Sequence, residues 1–148
     1  MAREEKIRAA LNPSAPPEVL TELTRDENHE VRWGVALNPS TPPEVLTKLA
    51  RDRDTVVRWN VAQNTSTPPK ILTEFSRDED YNVRIGVAHN SSTPLEVLAE
   101  LARDRHGDVR LGVAHNPSTP PEVLLILMVD DNPCVREAAE RALSKRVQ

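Results

Sequence analysis

The 148-residue chain carries 19 lysines and arginines against 23 aspartates and glutamates, a net charge of -4 that disfavours general attraction to nucleic-acid phosphates. Its length suits one ordinary domain, and with only 3% aromatic residues the predicted core is aliphatic. Cys134 is the only cysteine, which excludes an internal disulfide and fits a reducing compartment. We expect its thiol to lie in the core as a small buried residue.

The sequence repeats itself with a period of 26 residues. We predict a single domain over residues 1–148, with a half-repeat cap at 1–11 and a C-terminal capping helix at 134–146 that merges with the last repeat. The repeats between them are 12–37, 38–63, 64–89, 90–115 and 116–141. Because 26 residues bury too little apolar surface to fold alone, we predict a solenoid in which each helix pair covers the next.

Each repeat contains two predicted helices. The first helix begins at a threonine-proline segment, where Thr41 is the predicted N-cap and Glu44 completes a capping box. The second follows an acidic turn with Asp54 as N-cap and covers about Val57 to Gln63. It ends at an asparagine-proline pair, because a residue before proline avoids the helical conformation. Glycine in this helix predicts a close approach of the neighbouring repeat.

The repeated unit resembles the leucine-rich repeat variant family, a family of short bacterial repeats, through its pattern V-R-x-x-V-A-x-N-P-x-T-P-x-x-x-L-x-x-L-A-x-D. The resemblance covers about residues 5 to 137. It implies a right-handed superhelix, an α-solenoid of α-helices alternating with shorter, partly 3₁₀ segments. Some family members carry an N-terminal cysteine-rich segment with an iron–sulfur cluster. Those cysteines do not occur here, so we expect neither a cofactor nor a redox role.

A second resemblance is to HEAT and phycobilisome-lyase-type repeats, through an aspartate followed six residues later by an arginine. In HEAT-like repeats such residues form a hydrogen-bonded ladder between neighbouring turns, and the resemblance implies that structural role here. The ladder residues are Asp26, Arg32, Asp52, Arg58, Asp78, Arg84, Asp104, Arg110, Asp130 and Arg136. The alternative is a basic stripe for phosphates or acidic peptides, but arginines that are each held by an aspartate attract phosphates poorly. The asparagine column, which includes Asn38, is interpreted as bonding its local turn backbone.

The candidate partner-binding surface lies beside the valine column. It consists of Trp33, Leu37, Trp59, Gln63, Ile85, His89, Leu111 and His115. Tryptophans on adjacent repeats are typical anchors of protein interfaces, although the same side chains are also suited to closing off the core. We predict no metal site at the histidines, because helices pack about 8–10 Å apart and no third ligand column accompanies them.

The last repeat breaks the pattern at Leu125, Ile126 and Val129, which stand where other repeats carry polar residues. Either the terminal helix covers them, or they mediate self-association or another partner contact. The longest apolar run is far shorter than the roughly 20 residues of a membrane helix. We therefore expect a cytoplasmic protein without membrane contact.

The carboxylates recur in every repeat, whereas an active site needs one unique constellation, so we expect no enzyme. The favoured hypothesis is a noncatalytic scaffold that binds a protein or peptide. One alternative is binding of nucleic-acid backbones by a HEAT-like concave surface. A less favoured one is a lyase-like accessory role, which rests on resemblance of fold alone.

Overall fold

A computed structural model describes residues 1–147 of the chain. Over that range the chain forms eleven α-helices and no strand, so the all-helical prediction is confirmed. Bonds from residue i to i-3 tighten the helix ends, as between the Asp52 amide and the Leu49 carbonyl at 3.0 Å. The helices are α1 Arg3–Leu11, α2 Pro17–Leu23, α3 His29–Leu37, α4 Pro43–Leu49, α5 Thr55–Gln63, α6 Pro69–Phe75, α7 Tyr81–His89, α8 Leu95–Leu101, α9 Gly107–His115, α10 Pro121–Leu127 and α11 Pro133–Val147.

The chain divides into two compact units, Met1–Ile71 and Leu72–Gln148, with the boundary inside α6. The predicted single domain over residues 1–148 stays a prediction. Each unit has its own aliphatic core of leucine and valine columns. In the first unit Leu20, Leu46, Val31, Val35, Val57 and Val61 are fully buried. In the second unit Leu72, Leu98, Leu124, Val83, Val87, Val109 and Val113 are fully buried.

The short helices begin differently from the prediction, and the capping box of Thr41 and Glu44 is wrong. Pro42 is the N-cap of α4, and its side chain caps nothing. The Thr41 hydroxyl donates to the Val35 carbonyl at 2.6 Å, so it closes the end of α3 instead. The physical reason is that Pro42 and Pro43 lack amide protons, which leaves fewer free donors for a cap to satisfy. Thr67, Thr93 and Thr119 repeat this bond.

The longer helices begin as predicted at a polar N-cap. The Asp54 carboxylate accepts from the Val56 amide at 2.8 Å, and α5 begins at Thr55, two residues before the predicted start. Asn132 caps α11 in the same way, through the Cys134 amide at 2.9 Å. Cys134 itself is exposed, so its predicted core position is wrong. It lies in the first turn of α11, next to the buried Val135.

Glycines in the longer helices let adjacent helices approach closely within each unit. A Cβ atom added to Gly34 on α3 would lie 3.0 Å from the Ala10 Cβ on α1. A Cβ added to Gly112 on α9 would lie 2.9 Å from the Ala88 Cβ on α7. Real Cβ atoms essentially never approach to less than 3.0 Å, so a methyl group at Gly112 requires the helices to move apart, and one at Gly34 requires a smaller adjustment.

We expect Gly112→Ala to destabilise the protein even though alanine favours helix. Overpacking costs about 1–3 kcal/mol and the helix-propensity gain is about 1 kcal/mol, so the expected net loss is about 1 kcal/mol. Gly107→Ala is the matched control, because its added Cβ would meet the end of one side chain, the Asn132 amide nitrogen at 3.0 Å, and not the Cβ of a packed helix. Urea unfolding followed by circular dichroism measures both. Equal or higher stability of Gly112→Ala relative to Gly107→Ala would contradict the close-packing interpretation.

Candidate functional site

The asparagine column joins each repeat to the one before it. The Asn38 side-chain amide donates to the carbonyls of Ala10 at 2.7 Å and Asn12 at 2.8 Å. Its oxygen accepts from the Ser40 amide at 2.9 Å, which is the local turn bond expected from the sequence. Sequence reasoning missed the bonds to the preceding repeat. Asn64 and Asn116 make the same three bonds within their own units.

The arginine column is paired with aspartates of the following repeat. Arg32 donates from Nε to Asp52 Oδ2 at 2.7 Å and from Nη2 to Asp52 Oδ1 at 3.1 Å. Its remaining Nη1 donates to the Asp26 carbonyl at 2.8 Å, so both the local turn and the next repeat are held. The hydrogen bond to Asp52 raises the pKa of Arg32 further, which keeps the guanidinium charged. Arg84 with Asp104, and Arg110 with Asp130, repeat the geometry.

The remaining ladder residues form ion pairs or hydrogen bonds to backbone carbonyls. At the N-terminal end Lys6 takes the arginine position and its Nζ lies 2.7 Å from Asp26 Oδ2. Arg58 donates to the Asp52 carbonyl at 3.0 Å. The Asp78 carbonyl accepts from Arg84 at 2.9 Å. Arg136 donates to the Asp130 carbonyl at 2.7 Å.

The first unit brings together the apolar half of the predicted surface. Trp33 and Leu37 lie one turn apart on α3, where Trp33 is half-buried and Leu37 is 47% exposed. Trp59 on α5 is 37% exposed, and Gln63 one turn later is also exposed. On α1 the corresponding Leu11 is 39% exposed. The valines on the inner sides of α3 and α5 are fully buried, whereas Val56 at the start of α5 is 46% exposed and lies outside the predicted surface.

The second unit carries the more polar half of the predicted partner-binding surface. Ile85 and Leu111 are half-buried, whereas His89 and His115 are exposed, with ring centroids 6.1 Å apart. Partial burial of the ring, and secondarily the nearby His115, lower the pKa of His89. The described residues contain no group of three or more histidine, cysteine or acidic side chains placed to hold a metal ion.

The apolar residues that interrupt the last repeat are exposed. Leu125 is 58% exposed, Ile126 44% and Val129 82%, so α11 does not cover them. Self-association through these three residues stays a prediction. Within residues 1–147 no helix combines the length and the apolar character needed to cross a membrane.

Stacked pairs of short and long helices, joined by repeated asparagine and arginine bonds, define a helical repeat protein. The sequence profile of the leucine rich repeat variant family matches residues 29–54, 81–106 and 107–132, more than half of the chain. The chain therefore belongs to this family. A search of functionally curated proteins finds no significant match.

The fold is also similar to that of a solved structure described as a leucine-rich repeat variant with a novel repetitive protein structural motif. The two sequences are 36% identical, and the TM-score is 0.69. The match covers 95% of this chain but only 58% of that structure, so this chain spans little more than half of its length.

Proposed function

We propose that the protein is a noncatalytic scaffold that binds a protein or peptide through the variable column beside the buried valines. The observation that carries this proposal is the accessibility of Leu37 and Trp59, which lie beside fully buried valines on two consecutive long helices. Tryptophan is enriched among residues that dominate interface energies, because it offers a large apolar area and a hydrogen-bond donor.

The repeated polar residues support this assignment because they are already engaged within the fold. Asn38 uses both its donor and its acceptor inside the stack, and Arg32 uses three nitrogens. Such residues have little capacity left to recognise a ligand. The variable positions, in contrast, leave side-chain surface accessible and differ between repeats, as specific recognition of one partner requires.

The arginine–aspartate pairs favour a protein partner over a nucleic acid. The Arg32 and Asp52 side chains are only 9% and 8% exposed, and those of Arg84 and Asp104 6% and 9%. Neutralised pairs at this depth give few phosphate contacts, and the net charge of -4 repels a polyanion. The lyase-like alternative rests on resemblance of fold alone. A cytoplasmic location remains part of the proposal and rests on the single cysteine.

We expect combined Trp33→Ala and Trp59→Ala substitution to weaken partner capture by at least tenfold, since removal of one interface anchor typically costs about 2 kcal/mol or more. The measurement is quantitative mass spectrometry of proteins captured from the source organism by immobilised wild type and variant. Thr47→Ala, an exposed change on α4, is the matched control. Far-UV circular dichroism checks that the variant remains folded. Unchanged capture by the folded tryptophan variant would overturn the proposal, and its unfolding would assign both tryptophans to the core.

A further inference from the structure

The second unit contains an open cavity of about 400 Å³ between the end of α9 and the C-terminal two thirds of α11. Its wall carries His115, Arg141, Lys145 and Arg146, and Ala138 and Ala142 form an apolar part of its lining. No aspartate or glutamate lies among the residues that line it. Glu137 and Glu140 lie nearby on α11 but are not part of the lining, so the lining is cationic although the chain has a net charge of -4.

The cationic side chains of this cavity are not neutralised by acidic side chains, so they can bind an anionic ligand. Among the described residues, neither Arg141 nor Lys145 forms an ion pair, in contrast to Arg84 and Arg110, which bind aspartates at 2.7 Å. Arg146 donates to the carbonyls of Pro117 and Thr119, which orient the guanidinium without neutralising it. The cavity is therefore a positively charged site with one anchored cation and two accessible ones.

The position of these residues connects the cavity to the proposed binding column. His115 belongs to that column, and Arg141 follows it by one period of 26 residues. Lys145 lies one further turn along α11. A partner that contacts His115 thus reaches the cavity within the same unit.

We propose that this cavity binds the carboxylates of an acidic peptide segment, a specificity that rests on the proposed protein-binding function. The guanidinium of Arg141 matches a carboxylate in a bidentate geometry, and the Lys145 ammonium adds a second contact. The alanines accommodate the methylene groups of glutamate, and 400 Å³ falls within the usual range of ligand pockets. A nucleic acid requires cations spaced along a strand, whereas these are confined to one cavity.

The test is fluorescence anisotropy with a fluorescein-labelled hexaglutamate peptide at low and physiological salt. We expect saturable binding that weakens with salt, and a roughly tenfold or greater loss of affinity in the double variant Arg141→Glu with Lys145→Glu. The matched control is Arg103→Glu with Arg105→Glu, two exposed arginines in the turn before α9 that carry the same change of charge. We expect the control to change the affinity less than about threefold, through long-range charge alone.

Three results would overturn the proposal: no saturable binding of hexaglutamate, equal loss in the control variant, or tighter binding of a labelled oligothymidine than of hexaglutamate. Inorganic phosphate serves as a competitor, and displacement of the peptide at lower concentration than free glutamate would reassign the cavity to phosphate groups. Tryptophan-dependent capture is measured separately. If it persists while hexaglutamate fails to bind, only the acidic specificity is wrong and the scaffold function stands.

Discussion

Replacing Asp52 by alanine is expected to lower the free energy of unfolding by about 3 kcal/mol, since removing one partner of a buried ion pair leaves an uncompensated charge. The Arg32 side chain is 9% exposed and would lose both bonds to the carboxylate. Asp52 also accepts from the Asp54 amide at 2.9 Å, so the turn before α5 loses a bond as well. Urea denaturation followed by circular dichroism measures the change.

Asp131→Ala provides the control for this experiment. Asp131 also binds an arginine of the ladder, Arg110, at 3.1 Å, but its side chain is 93% exposed. We expect a loss below about 0.5 kcal/mol, because exposed ion pairs contribute little. Equal losses of unfolding free energy for Asp52→Ala and Asp131→Ala would show that burial of an ion pair does not determine how much it stabilises the protein. Such a result would remove the arginine column as a determinant of stacking.

Replacing Asn38 by alanine is expected to cost about 3 kcal/mol or more, because each buried group left without a partner costs roughly 1–3 kcal/mol. The substitution leaves the Ala10 and Asn12 carbonyls and the Ser40 amide without the bonds that they make to the side chain. Asn38 is 1% exposed, so water has little access to replace them. The free energy of unfolding in urea again measures the loss.

Two further variants separate the local bond from the bonds between repeats. Asn12→Ala removes only the turn bond to the Ser14 amide at an exposed position, and we expect a loss of less than about 1 kcal/mol. Asn38→Asp keeps the acceptor for Ser40 but abolishes donation to the preceding repeat. We expect it to be at least as damaging as alanine, because it places a carboxylate beside two carbonyl oxygens. Wild-type stability of Asn38→Asp would contradict the bridging role.

Much of the fold follows from the period in the sequence. The columns of valine and leucine predict the buried faces, and the acidic turns predict the N-caps of the longer helices. The bond of Thr41 was not predictable in this way, because a T-x-x-E sequence is equally compatible with a cap and with a hydroxyl that closes the preceding helix. The two prolines were the available signal, since they remove the amide protons that a cap would serve.

The bonds of Asn38 to the preceding repeat were missed for a different reason. Their acceptors lie 26 and 28 residues earlier in the chain, and spacing within one repeat does not reveal which backbone groups face each other across two repeats. The exposure of Cys134 was predictable. Its counterparts in the other repeats are Glu30, Val56, Asn82 and Asp108, which are mostly polar, so the column itself indicates a surface position.

The candidate partner-binding surface could be predicted from the sequence, because its residues differ between repeats. The basic cavity could not be predicted. Trp33 and Trp59 stand in a variable column beside an invariant one, which is readable from the sequence. The cavity requires Arg141, Lys145 and Arg146 from α11 to meet the end of α9. Arg141 stands one period after His115, but Lys145 and Arg146 lie beyond the last repeat, so the period alone does not bring the whole set together.

In the proposed function, the repeated residues fix the stack and the variable column beside them contacts the partner. Photo-crosslinking in the source organism tests it most directly, with a benzophenone amino acid placed at Leu37, at His115 or at Thr47 in separate variants. We expect the same partner to be crosslinked from positions 37 and 115 and not from position 47, which is exposed on α4. Crosslinking from position 47 without any from positions 37 and 115 would contradict the proposed binding surface.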